Sequence, residues 1–169
     1  MNDTGRRLQG SDYPEDDGTV TEEVAAVLSA YAAGSADHAA ALAALAEARV
    51  LVPVVAVLGE VEHDEAGLAR DKTSDMAAVL LTGADGRLAL LAFTSTSAMA
   101  AWDPAARPVP VATRLAAQTA LQEGAAALVV DVAGPVTVVA QGDDLHGLAA
   151  GWGVGRVGEQ PVWIRPAGE

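Results

Sequence analysis

Two apolar runs, Met76–Leu81 and Leu88–Phe93, flank Gly83-Ala84-Asp85-Gly86, and this feature most narrows what the chain can fold into. Gly and Asp tolerate the backbone conformations of tight turns, so turn residues between two strand-length apolar runs predict a β-hairpin. Ala126–Asp131 and Val136–Val139, separated by Ala133-Gly134-Pro135, predict a second pair of strands. Hairpins force antiparallel pairing. An all-helical bundle or an all-parallel sheet is therefore excluded.

Between these strands the sequence has helical spacing. Thr19-Val20-Thr21-Glu22 has the form of a capping box, and Val24, Val27, Leu28 and Tyr31 then recur along one helical stripe. Gly34 is expected to end that helix and Ser35 to cap a second, from about Ala36 to Arg49, with Leu42 and Leu45 on one face. This second helix runs into Val50–Leu58, a β-branched run too apolar to be half exposed, which predicts a strand covered on both faces. Pro53 cannot donate to a ladder and predicts an edge or bulge there.

Thr94-Ser95-Thr96-Ser97 offers N-caps for a short helix to Trp102, which Asp103-Pro104 stops. Pro104, Pro108 and Pro110 predict a stiff connection, and Thr113–Glu123 a helix capped by Thr113, anchored by Leu115 and Leu121 and closed by Gly124. Asp143–Ala150 predicts a last short helix, and Pro161–Ile164 a final strand. The expected fold class is α+β: one domain, a mixed and largely antiparallel sheet with helices packed on it. Residues 1–18, acidic and poor in apolar side chains, are expected to be a disordered leader, and residues 19–169 the folded domain.

Composition sets limits on function. The formal net charge is −13, with only 10 Lys and Arg, which argues against nucleic acid and against an anionic membrane surface as partners. With no cysteine, disulfides, thiolate metal sites and cysteine nucleophiles are excluded. The longest apolar stretch is far shorter than the roughly 20 residues of a membrane helix, and the first residues lack the apolar core of a signal peptide, so a cytoplasmic location is expected. Aromatic residues make up 4% of a chain that is 51% apolar, so the core must be built from many small aliphatic contacts.

Candidate chemistry is sparse. Glu60–Glu65 gathers carboxylates around His63, but no spacing matches a cation cage, and a solvated acidic loop explains it as well. Gly153-Val154-Gly155-Arg156-Val157-Gly158 carries the letters of a dinucleotide fingerprint after a helix instead of a strand, with too little chain left for the rest of the unit. It reads as a glycine-rich turn. His38, His63 and His146 fall in unrelated settings, and no nucleophile elbow accompanies the hydroxyls of Thr94–Ser97. No catalytic, cofactor or metal residues are assigned. Trp102 beside the proline-rich segment with Arg107, Pro108 and Pro110 forms the candidate partner surface; the other reading is that Trp102 plugs a core short of aromatics.

A family resemblance rests on linked segments. These are Leu42–Leu45 leading into Arg49–Val54, Ser74-Asp75-Met76-Ala77, Leu91–Ser95, Trp102–Val111 and Leu128–Pro135. In order and spacing the chain resembles the SseB N-terminal domain, in its actinobacterial form, over roughly Leu42 to Ala150. The resemblance implies an N-terminal-type domain with no agreed catalytic residues. The expected role is a non-enzymatic protein-interaction module without cofactor, meeting a protein partner through a sheet edge or the Trp102 surface. The alternative is a sensor for a small, amino-acid-type metabolite bound between sheet and helices.

Overall fold

The computed structural model describes residues 12–57 and 75–168. Among them are the helices α1 (Glu22–Ala32), α2 (His38–Ala46), α3 (Thr96–Trp102), α4 (Thr113–Gln122) and α5 (Asp143–Ala150). The strands are β1 (Arg49–Val57), β2 (Asp75–Ala78), β3 (Leu80–Thr82), β4 (Leu88–Ala92), β5 (Arg107–Ala112), β6 (Ala127–Val130), β7 (Val138–Gln141), β8 (Gly153–Val157) and β9 (Gln160–Ile164). Strand order is β2-β1-β5 in one sheet and β3-β4-β6-β7 in another, with β8 and β9 as a separate hairpin. Every pair is antiparallel except β4 with β6. The architecture is the expected α+β domain. No helix among the described residues is long and apolar enough to cross a membrane.

Pro53 explains why the sheet is split. The amide of Leu51 donates to Phe93 O (2.7 Å) and that of Phe93 to Leu51 O (2.8 Å), so this edge of β1 faces β4. Two residues on, Val79 N donates to Pro53 O (3.2 Å), but Pro53 has no N–H to return. The Val79 carbonyl instead accepts from Leu91 N (3.3 Å) on β4. The run Met76–Leu81, expected as one arm of a hairpin, therefore divides at Val79: β2 pairs with β1, and only β3 pairs with β4. Pro53 marks neither an edge nor a simple bulge, since β1 is the central strand of its sheet.

Alternation along β1 and β4 serves two faces, as the period-two geometry of a strand requires. Val50, Val52, Leu90 and Ala92 join Leu128, Val130 and the buried sides of α1, α2, α4 and α5 in the main core. Leu51, Leu91 and Phe93 point the other way, where Ala98 and Met99 of α3 cover them. The covering of β1 on both faces holds for Val50–Val54, apart from Pro53's role in the ladder, while Val55 is exposed.

Several helix ends differ from expectation. Thr21, not Thr19, caps α1, accepting from Val24 N, and Asp37 caps α2, accepting from Ala40 N. Ser35 donates to Ala30 O and so closes α1 instead of opening α2. The Thr113 hydroxyl donates to Ala48 O (2.9 Å), tying α4 to the start of β1, and does not cap its own helix. Leu115 is exposed; Ala116, Ala117 and Ala120 carry the buried stripe of α4. Ser95 does cap α3, accepting from Ala98 N, and Asp103 ends it in extended conformation. The glycine-rich segment is not a turn but β8, paired with β9. Gly147 on α5 is where that hairpin seats, because a Cβ there would collide with the Trp163 ring.

Candidate functional site

The sequence-chosen surface is only partly open. Trp102 is half-buried, its ring 5.7 Å from that of Phe93, and it packs on the smaller core with Ala106. Arg107 and Pro108 are exposed and Pro110 is half-buried, but all three lie in β5, an edge strand paired with β1, not in a free connection. The Thr113 amide points at Ala48 O, so by strand alternation the amides of Val109 and Val111 face β1 as well. The ring nitrogens of Pro108 and Pro110 then lie along the outer edge, where neither can donate. This edge is poorly suited to accept an added strand.

A concave surface lies elsewhere. Residues 12–21, α1, α2 and Arg49 enclose a groove of about 750 Å³. Its floor includes Val20, Val24, Val27, Ala43 and Ala44, and its rim carries Glu15, Asp17, Glu23 and Glu47, all exposed. Arg49 is the basic residue among those lining it, and its guanidinium makes four hydrogen bonds. It pairs with the Asp16 carboxylate through Nε and Nη2, and donates to Thr94 O (2.5 Å) and Thr19 O (2.6 Å). The Arg49 guanidinium holds the Asp16 carboxyl below the usual carboxylate range, and the Thr19 hydroxyl and amide do the same for Asp17. The last part of the expected leader is thus pinned to the domain. Gly18 lies against Thr96, whose amide donates to Gly18 O (2.8 Å); a Cβ at Gly18 would strike that side chain.

A second cavity, about 250 Å³, is lined by Leu28, Thr94, Ser95, Ser97, Asp131 and Val136 among others. Asp131 is 2% exposed and sits just past β6, with a positive φ of 56° that Asp tolerates better than most residues. Its carboxylate accepts from Thr94 N (2.8 Å) and the Thr94 hydroxyl (2.7 Å), joining the ends of the parallel strands β4 and β6. Burial pushes its pKa up, against the pull of those two bonds. Asp131 was visible in sequence as the acid that ends an apolar run, but nothing local revealed that Thr94, far along the chain, would meet it.

The two described histidines make separate contacts. His38 lies between Tyr31 Oη (3.5 Å) and Asp144 Oδ2 (3.3 Å), while His146 is exposed with Nδ1 2.8 Å from Gly142 O. Asp144 also accepts from Trp163 Nε1 (3.0 Å), and Arg156 of β8 pairs with Asp37, so this cluster holds the C-terminal hairpin to α2 and α5. Among the described residues no His, Cys, Asp or Glu group could hold a metal ion, and the Glu60–Glu65 segment lies outside them.

A scan against protein families matches the SseB protein N-terminal domain over residues 24–146, more than half of the chain. No curated protein and no solved structure matches. The matched span starts within α1 and ends within α5, so it contains both main sheets and leaves out the hairpin and the groove's N-terminal wall. The chain belongs to the SseB family, through its N-terminal domain.

Proposed function

We propose that this chain is a non-enzymatic protein-interaction module of the cytoplasm, of the actinobacterial SseB type, and that its partner sits in the groove between residues 12–21 and helices α1 and α2. The observation that carries this reading is a large concave surface with an aliphatic floor and an exposed polar rim. That combination suits a docked segment of protein, which can bury side chains centrally and keep its own polar groups at the margin. The β5 edge is the weaker candidate because Pro108 and Pro110 remove donors from it. Trp102 offers only its outer part, the rest being spent on Phe93.

Site-specific photo-crosslinking in the native host tests the placement. A benzophenone amino acid replaces Val27 in the groove in one sample and Arg107 on β5 in another, and the adducts are identified and remade with purified proteins. One recurrent partner captured from Val27 and not from Arg107 is the expected result. Capture from Arg107 alone, or repeated recovery of the uncrosslinked chain, would count against it.

A small-ligand sensor is the second reading, and the Asp131 cavity is the observation that favours it. A buried carboxyl with hydroxyls beside it can orient a compact polar ligand against the aliphatic walls. A thermal-shift screen of metabolites separates the readings, because a ligand at a hundredfold excess over its Kd stabilises by about 2.7 kcal/mol.

A further inference from the structure

We infer that the occupant of the groove is a basic segment of the partner protein that places a Val- or Leu-sized side chain between its positive charges. This rests on the groove being the partner's seat and specifies what sits there. The floor is lined by valines and alanines, so the complementary side chain is aliphatic and compact. The rim is acidic on every wall: Glu15 and Asp17 come from the N-terminal segment, Glu23 from α1 and Glu47 from the end of α2.

Among the described residues the only cation lining the groove is Arg49, which acts on Asp17 of the rim. Four hydrogen bonds to Asp16, Thr94 and Thr19 already occupy it. Among the described residues no ion pair is formed by Glu15, Asp17, Glu23 or Glu47. The whole chain, at −13, adds a field of the same sign, which speeds the approach of a cationic partner and repels an acidic one.

The N-terminal wall, outside the family-matched span, also contributes to selectivity. Residues 12–23 precede the family-matched span, yet they contribute three of the four rim carboxylates, Glu15, Asp17 and Glu23. Their position is fixed by the Asp16–Arg49 pair and the Gly18–Thr96 contact, so the wall is formed before a partner arrives.

The test uses the full chain and three fluorescent hexapeptides. One is Lys-Arg-Val-Leu-Arg-Lys, one replaces its four basic residues by Glu, and one replaces Val-Leu by Gly-Gly. Fluorescence anisotropy should show the basic aliphatic peptide binding most tightly, more weakly as salt rises from about 50 to about 500 mM. The double variant Glu23→Lys/Glu47→Lys should lose about tenfold in affinity for it and gain affinity for the acidic peptide. Both positions are exposed, and a melting curve checks that the variant stays folded. Equal binding of the acidic peptide, or no effect of the double variant, overturns the basic chemistry. Equal binding of the Gly-Gly peptide overturns the aliphatic anchor. Ala44→Trp, which fills the floor without changing charge, distinguishes the two levels. If it abolishes capture of the native partner while the peptide preferences fail, the groove reading stands and the inferred chemistry falls. If the partner is captured undiminished by Ala44→Trp, the groove reading itself fails.

Discussion

The two faces of the sheet are packed by different means. On one face Val50, Val52, Leu90, Ala92, Leu128 and Val130 meet four helices whose buried positions are mostly Ala, Leu and Val. On the other, Leu51, Leu91 and Phe93 meet one short helix through Ala98 and Met99, with Trp102 at the margin. The first face spreads its burial over many small contacts; Ala116, Ala117 and Ala120 let α4 approach closely, and the loss of any one side chain is local. The second concentrates its burial on the chain's single Phe, which is fully buried. A composition poor in aromatics thus has unequal consequences, and one face leans on a single large ring.

Phe93→Ala should break that comparison most visibly. It should cost about 3–5 kcal/mol, against about 1.5–3 kcal/mol for Val52→Ala on the opposite face. Denaturant unfolding of both variants measures the difference, and equal costs would remove the asymmetry. Trp102→Ala comes next. The ring is half-buried and lies tilted against Phe93 instead of filling the centre, so roughly 1–3 kcal/mol is expected. The same measurement decides between the two readings of Trp102: no loss of stability with loss of a bound partner would make it an interface residue.

A third measurement concerns the polar link between the strands that feed both faces. Asp131 has its pKa raised by burial, so between the ordinary carboxylate range and its folded value the folded chain holds a proton the unfolded chain has lost. Its contribution to stability therefore falls as pH rises through that window and stays at the lower level above it. Asp16 acts in the opposite sense: held down by Arg49, it contributes stability above the ordinary range and loses it as pH falls through its lower folded value. Asp131→Asn keeps an acceptor for Thr94 N and tolerates the positive φ, so a loss of about 1 kcal/mol at neutral pH is expected, far below that of Phe93→Ala. Its stability should also rise more steeply from acid to neutral pH than that of the parent, since the falling component is gone. Unfolding free energies across that range provide the check, and unchanged pH dependence would show that Asp131 does not titrate differently on folding.

How much of this was legible in sequence depends on the range of the interaction. Some signals settled within a few residues were read well, namely the turn at Gly83–Gly86, a cap for α3 within Thr94–Ser97, the stop at Asp103-Pro104 and the closing Gly124. The caps expected at Thr19, Ser35 and Thr113, by contrast, fell on other residues or on none. Pro53 was recognised as a ladder defect, but its consequence depended on Leu91, which takes the Val79 carbonyl across a sequence gap that periodicity cannot bridge. Pro108 and Pro110 were read as a stiff connection because their strand is made by pairing with β1, and no local signal supplies a partner. The groove was missed for the same reason. Its apolar floor comes mostly from two helices, of which α1 was read as one apolar stripe and α2 by Leu42 and Leu45 alone. Part of its acidic rim lay in a segment taken for a leader, which the Asp16–Arg49 pair and the Gly18–Thr96 contact bring there. The Trp102 surface was chosen as a large aromatic beside a proline-stiffened segment, which says nothing about the Phe93 ring beneath it.

The smallest expected effect tests the aliphatic face by what is left out of it. Leu115 is the largest apolar side chain in the first turn of α4 and by size alone would be its anchor, yet it is 44% exposed. The helical stripe that faces the core passes instead through Ala116, Ala117 and Ala120, because close approach of α4 to α5 and the sheet leaves room there only for methyl groups. Leu115→Ala should therefore change stability by no more than about 0.5 kcal/mol, the range of ordinary surface substitutions. The gain in helix propensity from Ala acts in the stabilising direction and offsets part of the lost contact. A cost as large as that of Val52→Ala would mean that Leu115 folds down onto the core in solution, and that the aliphatic face of small contacts has a large anchor after all.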